Sequence, residues 1–207
     1  MGAGNREKEY NAHLFSTQTC MPGMKPTRNI FLIGPMGVGK STIGRVLADQ
    51  VGLAFYDSDR EIEASTGADI PWIFDVEGES GFRARESRMI QELTAHDGIV
   101  LATGGGSVLA QENRECLSER GIVVYLRASI AQQFERTARD KNRPLLMTPD
   151  PEAKIRELMK IREPLYQEVA DIIVNTNRRS PRSVSAEIVR KLETWQEENT
   201  LGQSKPY

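Results

Sequence analysis

The chain has 207 residues, and its 27 Lys and Arg against 29 Asp and Glu leave a formal net charge of −2. This length suits one domain with a sizeable core, and the balanced charge argues against general binding to nucleic acid or to membrane surfaces. No apolar run approaches the length of a membrane span. The two cysteines, Cys20 and Cys116, lack metal or redox spacing, as expected of a protein in the reducing cytoplasm.

Residues 1–27 are polar and carry no periodic apolar pattern, which predicts a disordered N-terminal extension. The stretch lacks the apolar centre of a secretory signal. Met21 and Met24 stand just before the first predicted strand. A later translation start at either methionine would explain the extension.

The next stretch holds the most specific motif of the chain. The apolar run Ile30–Ile33 predicts a buried strand, and residues 34–41 follow it with the pattern G-x-x-x-x-G-K-S. This is the phosphate-binding loop, in which glycine lets backbone N–H groups approach phosphate oxygens closely. Apolar residues then recur at helical spacing, at Ile43, Val46, Leu47 and Val51. The motif therefore lies between a strand and a helix, the context in which such loops bind phosphate.

A second predicted strand, residues 53–56, runs into Asp57, Ser58 and Asp59. Ligands of open α/β sheets bind at the carboxyl ends of the strands, so the two carboxylates are well placed for chemistry. Alternatively, Ser58 or Asp59 simply caps the next helix. The spacing alone does not separate these two interpretations.

Short helices with apolar faces follow, interrupted by Gly67, Gly78 and Gly81. A longer helix is predicted to open at Gly81 and to turn its apolar face to the core with Phe82, Met89, Ile90 and Leu93. Arg83 and Glu86 share one face of this helix. Arg83 could bind a carboxylate or a phosphate while Glu86 fixes its plane, but the two residues by themselves favour an ordinary surface ion pair.

Three consecutive glycines, Gly104, Gly105 and Gly106, follow the next buried strand, residues 98–102. Glycine costs backbone entropy, so the run favours a ligand lying against bare backbone, with a simple loop as the alternative. The pattern continues with a helix, a buried strand and a further helix, predicted over 108–119, over 121–126 and from Ile130.

Two cationic features come next. The stretch from Arg136 to Pro144 is rich in cations and ends at a proline; a solvated charge run is its usual interpretation, and a mobile lid is the rival. In the helix predicted from Pro151, Arg162 lies seven residues after Ile155 and so shares its inward face. A buried arginine needs an anion, which either a ligand or a carboxylate from elsewhere in the fold could supply.

The last predicted strand covers residues 172–174. Ser180 and Pro181 then match a helix cap followed by proline in the first turn. The closing helix carries apolar residues as far as Trp195, and residues 197–207 form a polar tail.

Strands that alternate with helices predict a doubly wound α/β fold, with a mostly parallel five-stranded sheet and helices on both faces. We expect a single domain over residues 28–196, with a small helical substrate-binding insertion at about 58–96 and a mobile lid at about 137–149. A phosphate loop, carboxylates at a strand end, arginines, a glycine run and a lid together indicate phosphoryl transfer.

The chain resembles the shikimate kinases, small P-loop kinases of aromatic biosynthesis, over about residues 28–195. The resemblance rests on an ordered set of motifs rather than on the phosphate loop alone. The set comprises the phosphate loop at 34–42, Asp57 and Asp59 after Phe55, Gly81-Phe82-Arg83 with Glu86, Gly104–Gly106, Arg143-Pro144-Leu145-Leu146, and Arg162 with Pro164-Leu165-Tyr166. The N-terminal extension is outside the pattern, and the lid departs from it in detail at 139–142.

The resemblance implies ATP-dependent phosphorylation of the 3-hydroxyl of shikimate, with Mg²⁺ as the cofactor and shikimate 3-phosphate as the product. It implies catalytic roles for Lys40, Asp59 and Arg143. The residues expected to bind ATP are Gly37, Val38, Gly39, Lys40, Ser41, Thr42, Arg136, Arg143 and Arg179. Those expected to bind shikimate are Asp59, Arg83, Gly104, Gly105, Gly106 and Arg162. Mg²⁺ is expected to be held by Ser41 and, through water, by Asp57.

Within these sets, the family assigns individual roles. Asp59 bonds the reacting hydroxyl, and Arg83 and Arg162 hold the shikimate carboxylate. Arg143 reaches over the transferring phosphate, and Arg136 borders adenine together with residues 177–181. The implied partners are ATP and shikimate, so we expect a cytoplasmic monomer that binds neither nucleic acid nor membranes.

Two rival functions remain open at this stage. The paired arginines do not exclude a kinase for another small acid, such as gluconate, although the Gly-Phe-Arg and triple-glycine motifs favour shikimate. A catalytically silent nucleotide-binding or regulatory module is the rival outside enzymes, and the residues that argue against it are Lys40, Ser41, Asp57, Asp59 and Arg143. A GTPase is disfavoured, since the chain has no Asn-Lys-x-Asp guanine motif.

Overall fold

The computed structural model describes residues 28–138 and 144–202. Its strands are β1 Asn29–Ile33, β2 Ala54–Asp57, β3 Ile99–Ala102, β4 Gly121–Arg127 and β5 Ile172–Asn175. They form one five-stranded sheet in the order β2-β3-β1-β4-β5, and every neighbouring pair is parallel. The predicted doubly wound sheet is therefore confirmed, with β1 at its centre.

Alternate residues of the central strands face opposite sides of the sheet, as the two-residue repeat of a strand requires. Ile30 and Leu32 of β1 pack in one core, together with Ile122, Val124 and Leu126 of β4. Phe31 and Ile33 pack in the core on the other side, together with Val123 and Tyr125. Because both faces are covered, these strands form continuous apolar runs in the sequence.

The helices of the described part are α1 Lys40–Val51, α2 Ser58–Thr66, α3 Ile70–Thr94, α4 Gln111–Arg120, α5 Ile130–Thr137, α6 Pro151–Val169 and α7 Pro181–Gly202. Apolar residues of α1 and α7 fill the core on one face of the sheet. Those of α3, α4 and α6 fill the core on the other face. Helices thus cover both faces, as predicted.

The region predicted to bind substrate has a small core of its own. Ile62 of α2 packs there with Ile73 and Phe82 of α3. These side chains are at most 4% exposed. Helix α2 therefore packs with the first part of α3 in a core separate from the two on the sheet, while the insertion and its boundaries stay a prediction.

Helix boundaries differ from the sequence pattern in three places. The break in α3 is at Gly78, whose φ of 72° is left-handed, so Gly81 lies inside the helix instead of opening it. A single 3₁₀ turn, Ser107–Leu109, precedes α4, which begins later than predicted. Helix α7 continues to Gly202, so residues 197–202 of the predicted polar tail are helical.

Three predictions concern residues outside the described ones: the N-terminal extension over 1–27, the centre of the lid at 139–143 with Arg143, and the end of the tail at 203–207. A second 3₁₀ turn, Pro144–Leu146, belongs to the described part of the lid. Among the described residues, no helix is long and apolar enough to cross a membrane.

Asn29 provides a test of how β1 is joined to β3. The residue is 4% exposed; its Nδ2 donates to the His96 carbonyl at 2.6 Å, and its Oδ1 accepts the N–H of Ile99 at 3.1 Å. Asn29→Ala leaves both backbone groups unpaired and should lower the free energy of unfolding by about 2 kcal/mol or more. Denaturant unfolding measures the loss.

The control is Asn199→Ala. This exposed side chain also donates to a backbone carbonyl, that of Trp195, but at the surface of α7. Its removal should change the free energy of unfolding by no more than about 0.5 kcal/mol. Equal losses for the two variants would contradict the role given to Asn29.

Candidate active site

The phosphate loop joins β1 to α1, and its glycines adopt the conformations that the loop needs. Gly37 and Gly39 have φ values of 74° and 95°, in the left-handed region that other residues rarely adopt. Gly37 also lies against α5, where a Cβ would come within 2.9 Å of Cγ2 of Thr137 and 3.1 Å of the Gln133 carbonyl oxygen. A side chain at position 37 would therefore be both strained and crowded.

Lys40, Ser41 and Thr42 form the first turn of α1, where the unpaired N–H groups of a helix start attract anions. The Lys40 ammonium lies over the loop, donating to the carbonyls of Gly34 at 2.6 Å and Pro35 at 2.9 Å. The Val38 side chain is fully buried in the core. Of the residues expected to bind ATP, Val38 can therefore face a ligand only through its backbone.

These residues line an open cleft with about 730 Å³ of empty space, which we call the phosphate cleft. Its lining comprises Met36, Gly37, Gly39, Lys40, Ser41, Thr42, Asp57, Asp59, Thr103, Gly105 and Arg136. The cleft lies at the carboxyl ends of β1, β2 and β3, where ligands of such sheets bind. The fold thus brings together most of the residues predicted for phosphate and metal.

Arg136, in the last turn of α5, ties the phosphate loop to the loop after β5. Its Nη1 donates to the carbonyls of Gly37 and Val38, both at 3.2 Å. Its Nη2 donates to the Thr176 carbonyl at 3.3 Å. The two stretches predicted to border adenine are therefore neighbours in the fold.

Arg179 has a different environment from Arg136. It forms an ion pair with Glu187 of α7. It also donates to the carbonyl of Asn175 at 3.1 Å and to that of Ser183 at 3.0 Å. The guanidinium thus fastens the loop after β5 to the start of α7, and Arg179 is not among the residues lining the phosphate cleft.

The two carboxylates at the end of β2, Asp57 and Asp59, lie in different environments. Asp57 is the N-cap of α2, because its Oδ1 accepts the N–H groups of Asp59 at 3.2 Å and Arg60 at 3.4 Å. The interpretation of Ser58 or Asp59 as the cap is therefore wrong. Ser58 is instead fully buried, and its hydroxyl accepts the N–H of Gly104 at 2.9 Å.

A second cleft, with about 530 Å³ of empty space, adjoins the first, and we call it the arginine cleft. Its lining comprises Met36, Asp59, Ile70, Phe74, Phe82, Arg83, Glu86, Gly104, Gly105, Gly106, Leu145 and Arg162. Met36, Asp59 and Gly105 line both clefts. All the residues predicted to bind shikimate meet here, and Asp59 lies at the junction.

Arg83 does not form an ordinary surface ion pair. Its side chain is 19% exposed, and Nη1 donates at 2.6 Å to Glu86, whose side chain is 1% exposed. Nη2 donates at 2.9 Å to Glu79 at the rim. Burial opposes the charge on Arg83, but the two carboxylates outweigh it and raise the pKa of the guanidinium. Arg83 is therefore a cation held in place inside the cleft.

Arg162 projects from α6 into the same cleft and is 4% exposed. Its Nη1 donates to the Gly105 carbonyl at 3.3 Å. Burial lowers the pKa of Arg162; the nearby Tyr166 opposes this shift, and Arg83 adds to it. Two guanidinium groups therefore repel each other in the cleft, and an anion bound by both would stabilise the pair.

Glu86 acts on both arginines in different ways. It accepts a hydrogen bond from Arg83 and interacts with Arg162 through charge. Burial raises the pKa of Glu86, against the pull of Arg83 first and of Arg162 second. Its Oε1 is buried and has no hydrogen-bond partner among the described residues. The lining of the cleft thus holds two arginines and two carboxylates, Glu86 and Asp59, and Arg162 donates to the uncharged Gly105 carbonyl.

The glycine run is explained by protein atoms that lie against it. A Cβ on Gly104 would overlap Oε1 of Glu86, and a Cβ on Gly106 would overlap the guanidinium of Arg83. A Cβ on Gly105 would lie 3.3 Å from the backbone nitrogen of Met36 in the phosphate loop. The run is therefore not a simple loop, because bare backbone is what lets the charged side chains approach.

Several residues of the site were missed at the level of sequence. Ile70 and Phe74 lie one helical turn apart and form an apolar wall, but their spacing resembles that of any core face. Met36 stands inside the phosphate motif at a position that the motif leaves free. Tyr166 donates from a fully buried position to the Gly105 carbonyl, and nothing in its local sequence indicates that contact.

A phosphate loop at the edge of a parallel sheet opens into a cleft with two arginines, and one carboxylate stands between the two sites. This arrangement defines a small phosphotransferase of the P-loop kinase class.

Comparisons with known proteins identify the family. The family described as Shikimate kinase matches residues 36–193. The shikimate kinase of Pseudomonas syringae pv. syringae (strain B728a) is 61% identical over 165 residues, which is 80% of this chain and 96% of that protein. The shikimate kinase of Actinobacillus pleuropneumoniae serotype 5b (strain L20) is 57% identical over 173 residues, which is 84% of this chain and 100% of that protein.

Comparison with solved structures gives the same family. Shikimate kinase from Acinetobacter baumannii in complex with shikimate is 52% identical, with a TM-score of 0.81 over 82% of this chain and 95% of that one. The chain belongs to the shikimate kinase family, and it is an ATP-dependent kinase that acts on shikimate. A gluconokinase from Sinorhizobium meliloti 1021 has a TM-score of 0.58 at 18% identity, a likeness of fold alone.

Gly106→Ala tests the close approach of Arg83 to the glycine run. The backbone of Gly106, with φ −103° and ψ −3°, accepts alanine without strain, so the new methyl group should displace only the flexible end of Arg83. We expect the KM for shikimate to rise about tenfold or more, because disturbing one partner of a buried charge pair costs about 2–5 kcal/mol. Steady-state kinetics measure this.

The KM for ATP serves as the control for Gly106→Ala. It should stay close to that of the wild type, since the displaced guanidinium lines only the arginine cleft. An unchanged KM for shikimate in the folded variant would contradict the contact.

Proposed function

We propose that the phosphate cleft binds ATP with Mg²⁺, that the arginine cleft binds shikimate, and that the phosphoryl group passes between them beside Asp59. The observation that carries this proposal is that Asp59 lines both clefts. In-line phosphoryl transfer depends on positioning the donor and the acceptor at one point. The junction of the two clefts supplies such a point.

In the arginine cleft, the guanidinium groups of Arg83 and Arg162 hold the shikimate carboxylate. Each planar fork can bind both carboxylate oxygens, and the anion relieves the repulsion between the two cations. The apolar wall of Ile70 and Phe74 packs against the ring, with the glycine run on another side. This orientation turns the 3-hydroxyl to Asp59.

Asp59 accepts the hydrogen bond, and then the proton, of the attacking hydroxyl. A positioned carboxylate in this role typically contributes a rate factor of about 10²–10⁴. The oxygen that loses its proton forms the bond to the γ-phosphorus of ATP, while the bond from that phosphorus to the leaving ADP oxygen breaks. The product is shikimate 3-phosphate.

In the phosphate cleft, the loop amides of residues 37–42, the start of α1 and Lys40 neutralise the phosphates of ATP. Arg136 and residues 177–181 border the adenine, with Arg179 fixing that loop through its contacts to α7. Arg143, outside the described residues, is proposed to stabilise charge on the transferring phosphoryl group.

The donor set of the phosphate cleft suits Mg²⁺. Both cap bonds of Asp57 use Oδ1, which leaves Oδ2 for a metal-bound water, and the Ser41 hydroxyl lines the same cleft. Mg²⁺ prefers oxygen donors and takes few from protein, since waters and substrate phosphates complete its shell. The described residues accordingly contain no group of three His, Cys, Asp or Glu that would hold a metal unaided. When bound, the ion would neutralise charge on the phosphates.

The proposal extends to the cellular setting of the enzyme. We place it in the cytoplasm as a monomer without nucleic-acid or membrane partners. The net charge of −2 supports the absence of nucleic-acid and membrane partners, because it offers no general attraction for polyanions.

The direct test is a coupled ADP-release assay with shikimate, quinate, gluconate and a nucleoside monophosphate as acceptors. We expect turnover with shikimate to dominate, and phosphorus NMR of the product to locate the new ester at the 3-hydroxyl. Comparable turnover with gluconate would point to another acid kinase, and nucleotide binding without turnover would point to a silent module.

The two aspartates should respond differently to loss of charge. Asp59→Asn should lower kcat by on the order of a hundredfold or more at any Mg²⁺ concentration. Asp57→Asn keeps the helix cap, because Asn is also a good N-cap, and its activity should recover partly as Mg²⁺ is raised. The measurement is kcat as a function of Mg²⁺ concentration. Equal recovery in both variants would show that the roles are misassigned.

Lysine in place of Arg83 or Arg162 keeps the positive charge but lacks the planar guanidinium group. Arg83→Lys and Arg162→Lys should therefore each raise the KM for shikimate by about thirtyfold or more, following the cost of about 2–5 kcal/mol for a buried charge contact. ATP binding measured without shikimate should stay nearly unchanged.

A shikimate analogue with a neutral amide in place of the carboxylate provides the control for these variants. The wild type should discriminate strongly against the amide, and both lysine variants should discriminate less. If both variants discriminate as well as the wild type, the carboxylate is bound elsewhere.

A further inference from the structure

The carbonyl of Gly105 lies at the centre of the site. Gly105 lines both clefts, and its Cα faces the phosphate loop, since a Cβ there would be 3.3 Å from the Met36 nitrogen and 3.6 Å from the Gly34 oxygen. The carbonyl oxygen accepts from Nη1 of Arg162 at 3.3 Å and from the hydroxyl of Tyr166. Gly105, a residue of the glycine run, therefore faces the phosphate loop with its Cα and contacts α6 through its carbonyl oxygen.

Tyr166 contacts this carbonyl from behind the site. It is fully buried, and it lines neither cleft. Arg162 and Tyr166 are one helical turn apart and so lie on the same face of α6. Helix α6 thus presents two donors to a single oxygen, one exposed to the cleft and one hidden from it.

We propose that Tyr166 is a positioning residue for shikimate binding, whose hydroxyl fixes the Gly105 carbonyl and thereby sets the position of Arg162. This inference rests on the proposed role of Arg162 as a ligand of the shikimate carboxylate. Tyr166 itself touches neither substrate.

The physical reason is that the Gly105 carbonyl and the substrate carboxylate compete for the Arg162 guanidinium. Without the Tyr166 hydroxyl, the buried Gly105 carbonyl depends on Arg162 alone, and an unpaired buried carbonyl is costly. The guanidinium is then drawn toward the carbonyl and away from the substrate. Burial raises the pKa of Tyr166, although Arg162 opposes the shift. The hydroxyl therefore remains a donor throughout the physiological range.

The rival explanation is that Tyr166 only fills space in the core, and the chain offers a matched control for it. Tyr125 of β4 stacks on Tyr166, with ring centroids 5.0 Å apart and an interplanar angle of 22°. Tyr125 is also fully buried, but its hydroxyl donates to Glu163 and not to Gly105. Glu163 keeps two other partners, Arg127 at 3.3 Å and Gln167 at 2.9 Å.

The experiment compares Tyr166→Phe with Tyr125→Phe in the full chain, each of which removes one buried hydroxyl and keeps the ring. Tyr166→Phe should raise the KM for shikimate by about three- to tenfold, the range of one buried hydrogen bond. Its kcat and its KM for ATP should change by less than about twofold, because the bond acts on ground-state binding of the acceptor. Tyr125→Phe should leave all three constants unchanged, while both variants lose similar amounts of melting temperature.

A double-mutant cycle with Arg162→Lys separates this inference from the proposed function. In the Arg162→Lys background, Tyr166→Phe should change the KM for shikimate little, because the two residues act through one carbonyl and their effects are not additive. If Arg162→Lys raises KM but Tyr166→Phe does not, or if both tyrosine variants raise it equally, the positioning role is overturned. If Arg162→Lys leaves KM unchanged, the carboxylate assignment itself fails.

A second measurement needs no substitution at Tyr166. Tyrosine is isotopically labelled at the ring carbon that bears the hydroxyl, and the NMR signal of that carbon is recorded. A deuterium isotope shift of this signal identifies a hydroxyl proton that exchanges slowly with solvent. The variant Tyr125→Phe removes the signal of the tyrosine stacked on Tyr166. We expect the remaining slow signal to move on addition of shikimate. A signal that is fast, or that shikimate leaves unmoved, would overturn the proposal.

Discussion

The candidate site depends on β1 and β3 lying side by side in parallel register. Leu32 pairs with Ala102, so the two strands end at the same level of the sheet. The N–H of Thr103 still donates to the Leu32 carbonyl at 3.1 Å before the chains diverge. The phosphate loop leaves β1 there and the glycine run leaves β3. Two loops that are distant in the chain thereby form one continuous surface, with Gly105 against the phosphate loop.

Charge burial then decides what this surface can bind. Removing a guanidinium from water costs several kcal/mol unless partners restore the lost contacts. Arg83 donates to the buried carboxylate of Glu86, whereas Arg162 donates to the uncharged Gly105 carbonyl, so the charge of Arg162 is the one that a bound anion would balance. A half-exposed pair such as Arg85 with Glu77 carries little such cost and contributes little. The preference for an acidic substrate therefore follows from buried charge rather than from apolar area.

The glycine run illustrates how far a sequence pattern can be interpreted. Consecutive glycines predicted bare backbone at a ligand site; all three line the arginine cleft, and Gly105 lines the phosphate cleft as well. The sequence did not indicate which atoms require the bare backbone, because those belong to Glu86, Arg83 and the phosphate loop. Helix ends were predicted less well for a different reason. The capping roles of Asp57 and its neighbours are chemically alike, so only the end point of β2 selects the cap.

The sequence by itself determined the order of strands and helices, the phosphate loop and the types of residue at the site. These follow from repeats of 2 and 3.6 residues and from local backbone conformation, which neighbouring residues alone specify. Only the tertiary structure decided the partners of the two arginines. Arg83 is buried against Glu86, and Arg162 shares the Gly105 carbonyl with Tyr166. Such pairings depend on how α3, α6 and the end of β3 pack together, and no local pattern records contacts between segments so far apart in the chain.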